Sequence, residues 1–491
     1  MRCRLGDLLE AVPGRKLWFK DVEIRGISCD SRRVKRGDLF VAIPGGTTDG
    51  SRFLREAVER GAAAIVCEEP PAEEPRRPVH IVRDSRRALA DLAAKFYAEP
   101  SKRLNVIGIT GTNGKSTTAL LLRSILVAAN EKAGLLGTIR YEIGSRSLSA
   151  PMTTPPAHEL QMYLWEMANS GCRSAVMEVS SHALSQERVR GVRFAVGIFT
   201  NLTRDHLDYH HSFENYRDAK GRLFRDLSSR SIAVLNADDP VSSVYGKETK
   251  GIVVRFGLDN EAEVSAEIDR LDLDGCRLQL RLGEERVPIV SRLIGRHNVY
   301  NMLAAATACW RMGYDIEAIR SGIEAVRSVP GRLESVDVGQ DFNVFVDYAH
   351  TDDALENVLS SLRPLCRERL IVVFGCGGDR DRGKRSKMGS VADQLADSIV
   401  LTSDNPRTEE PLEIIREITS GVKSMNYLIE PDRRSAIRLA ASMARKGDVV
   451  LVAGKGHESV QVFGTEARPF DDRRVTREVL AGLLRKLRKS S

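Results

Sequence analysis

The stretch LNVIGITGTNGKSTTALLLRSILVAA, residues 104–129, constrains the fold of this chain more than any other. A short apolar, β-branched run is followed by glycines at 108, 111 and 114, then by leucines and alanines at helical spacing. That order predicts strand, tight turn, helix. In such a unit Gly111 and Gly114 let the backbone turn sharply around Thr112 and Asn113, and the helix opening at Lys115, Ser116 and Thr117 presents its N-terminus to an anion. Lys115 then reaches the β- and γ-phosphates of a nucleotide, and Ser116 sits on its magnesium ion. The strict phosphate-loop spacing asks for a glycine where this chain has Ile109. A glycine turn with an incidental lysine is the alternative; ATP is the ligand the context favours.

A chain of 491 residues is too long for one core and calls for two to four domains. Three α/β units are expected. Residues 1–98 hold a β-rich start, an amphipathic helix stopped at Gly61, and a proline-rich charged loop over 68–78. Residues 99–329 alternate strand and helix, with VIGIT, SAVMEVS, FAVGIFTNLT and IAVLNADD as strands of one parallel sheet. Ligand groups should gather at their C-terminal ends. The alternating stretch EVSAEIDRLDLDGCRLQLRLGEERVPI reads as antiparallel hairpins added to that sheet, and GRHNVYNMLAAATACWRMG as a helix. PGRLESV, from Pro330, reads as a hinge into residues 330–491, where NVFVDYAH, RLIVVFGCGG, SIVLTSDNP and DVVLVAGKG repeat the pattern.

Composition excludes several classes. The net charge of +7 comes from dispersed residues, aromatics are 5%, and only the tail RKLRKSS is clustered, so nucleic acid is not the expected partner. No apolar run approaches the length of a membrane span, and MRCRLGDLLEAVPGRKLWFK lacks the apolar segment of a secretory signal. The eight cysteines form no CxxC pair and read as buried thiols of a cytoplasmic protein.

Further candidate chemistry lies at strand ends. Glu178 in VMEVSSHAL is placed to hold magnesium opposite Ser116, with helix capping as its alternative. His206, Asp208, His210 and His211 crowd into six residues and invite a metal reading, while Lys220 on the next helix, if protonated, is no ligand for a hard cation. GCGGDRDRGKR, TSDNPR and VAGKGHE supply arginines, Asn405, Lys455, His457 and Glu458, a mixture suited to a zwitterion.

As a set, TGTNGKST, DHLDYH with the YRDAK lysine, GRHNVYN, PGRLE, DYAH and DNPR resemble the muramyl ligases, in family order along essentially the whole chain. The resemblance implies a three-domain α/β architecture with a central P-loop ATPase domain and a Rossmann-like C-terminal domain. It implies ATP-dependent addition of meso-2,6-diaminopimelate to UDP-N-acetylmuramoyl-L-alanyl-D-glutamate by a cytoplasmic monomer using two magnesium ions. By the same resemblance Ser28, Ser31, Arg32, Thr47 and Asp49 contact the uridine part of the substrate, and Thr153, Thr154, Ser180, Gln186 and Arg188 its peptide and pyrophosphate. Asn298, Arg332 and Asp347 contact nucleotide. Glu178, His206 and Lys220 hold magnesium with Ser116, Lys220 as a carbamate formed with carbon dioxide. Arg380, Asp404, Asn405, Arg407, Gly454 and Glu458 form the diaminopimelate site. DNPR is the feature that goes with diaminopimelate, because lysine lacks a distal carboxylate and would leave Arg407 unpaired at about 1–3 kcal/mol. Two departures stand out: Asp352 where proline is common in the family, and GGTTDG without the histidine often found near the uracil.

Overall fold

The computed structural model describes residues 1–45 and 49–490, with side chains up to residue 485. Among the described residues the chain folds around three sheets and two small two-stranded ribbons. The first sheet runs Arg15–Leu17, Val79–Ile81, Ala64–Cys67, Asp38–Val41, Gly26–Ser28 in spatial order, parallel except at the Arg15–Leu17 edge.

The central sheet has eleven strands. Asn105–Thr110 lies at its heart, between Ser174–Glu178 and Phe194–Phe199, and all three are parallel. Ala133–Leu136 and Ile232–Asn236 followed by Ile252–Phe256 extend the parallel part. The four strands expected from sequence are there. Four more were hidden: AGLL is too short to declare a period, Ile252–Phe256 is interrupted by Arg255, and the two strands of the hairpin Arg140–Ile143/Arg146–Ser149 carry too few apolar residues. The antiparallel strands Val264–Asp272, Gly275–Leu282 and Glu285–Ser291 close the far edge as expected.

Period-two alternation builds both faces of this sheet. Ile107, Ile109, Val176 and Ile198 pack under the helices Lys115–Ala128 and Arg296–Arg311, while Val106, Met177, Phe199 and Leu235 pack with Phe224 and Tyr245 on the opposite side. With helices on both faces, the open C-terminal edges of the parallel strands are left for ligand groups.

The third sheet places Asn343–Asp347, Val449–Ala453, Leu370–Phe374, Ser398–Leu401 and Tyr427–Ile429 parallel, with Glu334–Ser335 antiparallel at one edge. Asp352 opens the helix Asp352–Leu362 as its first residue, and the Thr351 hydroxyl accepts from the Ala354 amide as N-cap. Either residue suits that position. Proline suits the first helical position because its missing N–H has no helical partner, and an acid at the same place interacts favourably with the helix dipole.

All eight thiols are free, but Cys3 and Cys29 are only partly buried, a correction to the expectation of a fully buried set. Both lie on the first, small sheet unit, which has little interior to offer. Among the described residues no helix is long and apolar enough to cross a membrane.

One ion pair fastens the third sheet. Arg433, fully buried, donates to both carboxylate oxygens of Asp472 at 2.8 and 2.7 Å and to the Ala453 carbonyl at 2.8 Å. It joins the helices Arg433–Met443 and Asp472–Ser490 to the end of a central strand. Asp472→Ala would strand a buried guanidinium, and a loss of about 3–5 kcal/mol is expected in urea unfolding. An apolar pair at both positions should recover most of it.

Candidate active site

The predicted strand–turn–helix forms as Asn105–Thr110, a glycine turn, and Lys115–Ala128. Gly111 and Gly114 have φ of +152° and +87°. A Cβ on Gly111 would meet Thr200 Oγ1 at 1.9 Å, and one on Gly114 would meet Asn301 Oδ1 at 2.3 Å. The turn is held from the neighbouring strand end: the Thr112 amide donates to the Asn201 carbonyl at 2.8 Å, the Asn113 amide to Asn201 Oδ1 at 2.9 Å, and Thr200 Oγ1 to the Asn113 carbonyl at 2.6 Å. The Thr118 amide is the first to close a helical turn, onto the Gly114 carbonyl, so the amides before it have no helical acceptor.

This turn forms one wall of a cavity of about 490 Å³. Thr112, Asn113, Gly114, Lys115, Ser116 and Thr117 line it, together with Glu178, His206 and Lys220. Thr153 and Ser180 reach its rim. Asn298 enters from the helix Arg296–Arg311, and Arg332 and Asp347 enter from the third sheet's unit. Gly111 contributes its carbonyl from behind the wall. That oxygen accepts from both Lys115 Nζ and Lys220 Nζ, each at 2.8 Å, and Lys115 also donates to the Thr112 carbonyl at 2.7 Å.

Two amines on one carbonyl set the electrostatics. Burial pulls the Lys115 pKa down, opposed by Glu178 and Asp205. Burial, then the Lys115 cation, drive Lys220 well below the usual lysine value. Lys220 also lies over the Tyr216 ring at 4.6 Å. Burial lowers His206 too, leaving a neutral imidazole at neutral pH. Burial raises Asp347, with the Arg332 guanidinium and the Leu333 and Ala349 amides opposing. Arg332 lies over the Tyr348 ring at 4.7 Å.

The histidine cluster is corrected by the structure. Only His206 of the segment faces the cavity. His210 Nε2 is 3.0 Å from Ser181 Oγ, its ring packed among His182, Tyr209 and Tyr216. Among the described residues no group of three or more His, Cys, Asp or Glu side chains can hold a metal. A transition-metal site is therefore not formed by His206, Asp208, His210 and His211. Ser116, Glu178 and His206 line one cavity, and a magnesium ion is commonly held by one or two carboxylates, with phosphate and water oxygens completing its shell.

Several participants escaped the sequence reading. Thr138 donates its amide and hydroxyl to the two oxygens of Glu178 at 2.8 and 3.0 Å. Asp205 stands beside His206 on the cavity wall. Asp353, on the helix Asp352–Leu362, accepts from Asn113 Nδ2 at 3.0 Å and Thr203 Oγ1 at 2.8 Å, joining the third unit to the glycine turn. None had a local signal, since each matters through a partner distant in sequence.

The other predicted residues gather elsewhere. Thr154 hydrogen-bonds the Glu178 carbonyl, and Arg188 joins the Thr154 carbonyl to Gln186. In the first unit Ser28 Oγ donates to the Asp30 carbonyl, Ser31 Oγ to Glu56, and Arg32 pairs with Asp30 in the open. Asp49 caps a short turn, and Thr47 lies outside the described residues. Asn405, Lys455 and Glu458 form one buried cluster at 2.9–3.0 Å, and Gly454 lies against the Asp404 carboxylate. Arg407 donates to the Gly378 carbonyl at 2.7 Å, and Arg380 is exposed nearby. None of these first-unit residues, and none of this last cluster, lines the cavity itself.

Three family models match the chain: Mur ligase family, catalytic domain, over residues 23–97; Mur ligase middle domain over 109–309; and Mur ligase, glutamate ligase domain, over 331–456. The chain belongs to the Mur ligase family. Among relatives of this Mur ligase, the UDP-N-acetylmuramoyl-L-alanyl-D-glutamate--2,6-diaminopimelate ligase of Geobacillus kaustophilus (strain HTA426) is 46% identical, over 96% of this chain and 98% of the relative. The protein of the same name from Geobacter metallireducens (strain ATCC 53774 / DSM 7210 / GS-15) is 44% identical over 96% and 97%. A solved structure of that ligase aligns with TM-score 0.69 and 32% identity, covering 97% of this chain and 99% of the other. A Mycobacterium tuberculosis folylpolyglutamate synthase, at 20% identity and TM-score 0.62, shares the multidomain α/β fold.

Gly114→Ala tests the turn. Its Cβ and its left-handed φ both oppose the native geometry, so ATP binding to this Mur ligase should weaken by about tenfold or more in calorimetric titration. Circular dichroism should stay close to that of the parent.

Proposed function

We infer that this Mur ligase joins meso-2,6-diaminopimelate to UDP-N-acetylmuramoyl-L-alanyl-D-glutamate with ATP, in cytoplasmic assembly of a peptidoglycan precursor. The observation that carries the reading is the single cavity in which Lys115, Ser116, Glu178, His206 and Lys220 meet Arg332 and Asp347 from the third unit. Identity of 46% and 44% over almost the whole of the named relatives supports the substrate pair.

In this reading residues 1–98 hold the uridine end, residues 99–329 form a P-loop-type ATP site, and residues 330–491 form a Rossmann-like unit for the amino acid. The D-glutamate γ-carboxylate attacks the γ-phosphorus of ATP; ADP leaves and an acyl phosphate remains. An amine of diaminopimelate attacks the acyl carbon, and the tetrahedral adduct expels phosphate as the amide forms. Lys115 and the glycine-turn amides hold the phosphates in line and take up charge as it develops, so most of the acceleration is positioning and electrostatics. Ser116, Glu178, His206 and Lys220 would hold magnesium, which supplies further charge neutralisation at the phosphates. Asn298, Arg332 and Asp347 orient the nucleotide, and the seam between the two units keeps water from the acyl phosphate.

Lys220 fits this scheme as a carbamate. Burial and the Lys115 cation lower its pKa well below the usual lysine value, which favours the neutral amine, the form that adds to carbon dioxide with loss of a proton. The addition puts an anionic oxygen ligand beside the Lys115 cation. Arg407, with Asn405 and Glu458 beside it, supplies a guanidinium for the distal carboxylate and acceptors for the distal ammonium.

Phosphate release should require the UDP-dipeptide and meso-diaminopimelate together, with a product heavier by one diaminopimelate residue in mass spectrometry. Equal or better use of L-lysine would overturn the specificity. Arg407→Ala should narrow the preference by about 1–3 kcal/mol, a factor of roughly 5 to 150 in kcat/KM ratio. Lys220→Ala should lose most of its turnover at any bicarbonate concentration; full activity would remove Lys220 from the scheme.

A further inference from the structure

Two loops carry the proposed diaminopimelate contacts. The first follows the strand Leu370–Phe374 and contains Gly377, Gly378, Asp379 and Arg380; the second follows Ser398–Leu401 and contains Asp404, Asn405 and Arg407. They are laced together directly. The Gly378 amide donates to the Asn405 carbonyl at 2.9 Å, Thr408 Oγ1 donates to Asp379 Oδ1 at 2.6 Å, and Arg407 donates to the Gly378 carbonyl at 2.7 Å.

Beneath the lacing sits a guanidinium that no step of the reaction uses. Arg385, on the helix Gly383–Leu395, has 0% side-chain exposure. It donates to Glu409 Oε2 and Oε1, each at 2.9 Å, and to the Gly377 carbonyl at 3.2 Å. It also donates to Glu417 at 2.9 Å, while its Nε finds no acceptor. Glu409 lies two residues past Arg407, and Gly377 lies three before Arg380. The Glu409 carboxylate further accepts from the Asp379 amide at 2.6 Å and from Arg382 at 2.9 Å. One planar fork therefore holds the second loop by a carboxylate and the first by a carbonyl.

A buried ion pair is a poor way to gain stability, since well-packed apolar groups do as well or better. A rigid bidentate fork is a good way to fix two segments at one distance and one angle. We propose that the Arg385–Glu409 pair is a positioning strut that sets the spacing of Arg380 and Arg407, and through it the affinity and selectivity for a substrate with a distal amino-carboxylate. The inference rests on the diaminopimelate reading of those loops. Hydrogen bonding to Arg385 holds the Glu409 carboxyl down to about 2, so the strut stays charged throughout the neutral range.

Glu409→Gln is the discriminating variant. All its oxygen positions face donors, so an amide NH2 there opposes an N–H and loosens the joint with little change in volume. The expected result is a KM for diaminopimelate raised about tenfold or more, with kcat against saturating diaminopimelate and the KM values for ATP and the UDP-dipeptide within about twofold. The preference for diaminopimelate over lysine should shrink with it. Arg385→Lys, which keeps the charge but not the fork, should behave alike, and Glu417→Gln, which leaves both loop contacts in place, should be near normal.

An unchanged diaminopimelate KM in Glu409→Gln, whether or not the melting temperature falls, overturns the proposal. So does a parallel rise in all three KM values, or failure of both Glu409→Gln and Arg385→Lys to fold, since either makes the pair structural. Arg407→Ala separates the two layers. If it raises the diaminopimelate KM while Glu409→Gln does not, the strut alone fails; if it leaves that KM unchanged, the reading of the loops fails first.

Discussion

Two buried lysine amines share one carbonyl oxygen, that of Gly111, and much of the site follows from that arrangement. Burial and mutual repulsion both disfavour two ammonium ions there. The site can relieve this by accepting an anion, by leaving one amine neutral, or by converting one amine to an anion. In the proposed scheme nucleotide phosphate and lysine carbamylation are two of these solutions, and they are compatible. The glycine turn places the carbonyl where both side chains reach it, and the Thr200–Asn201 strand end holds the turn in place.

The cavity is completed across a seam. Arg332 and Asp347 come from the third unit, and Asp353 grips Asn113 of the turn and Thr203 beside it. Within the central unit, Thr138 holds Glu178. The third unit is thus hydrogen-bonded to the glycine turn that walls the cavity. A change in the seating of one is felt by the other, as an amide-forming enzyme requires if the acyl phosphate is to meet an amine before water.

Legibility differed from one element to the next. Strong apolar runs such as NVIGIT, SAVME and DVVLVAG declared their strands, because a parallel strand covered on both faces must be apolar throughout. AGLL and the Arg140–Ser149 hairpin did not, being short or polar. The phosphate turn was legible because glycines are needed wherever a backbone must approach an anion closely. The histidine run misled: four polar residues close in sequence leave a short helix in different directions, and His210 turned inward to Ser181.

Local chemistry was therefore determined by sequence alone: a glycine turn that can hold phosphate, a lysine on the following helix, an arginine in DNPR suited to a second carboxylate. Periodicity and residue type act over a few positions, and these features need nothing further away. Which groups meet was decided only by the tertiary structure. Lys220 meets Lys115 on the Gly111 carbonyl from 105 positions along the chain, Thr138 finds Glu178, Asp353 finds Asn113, and Arg385 finds Glu409. Such pairings depend on how sheets and helices pack, and burial then sets the charge each group carries.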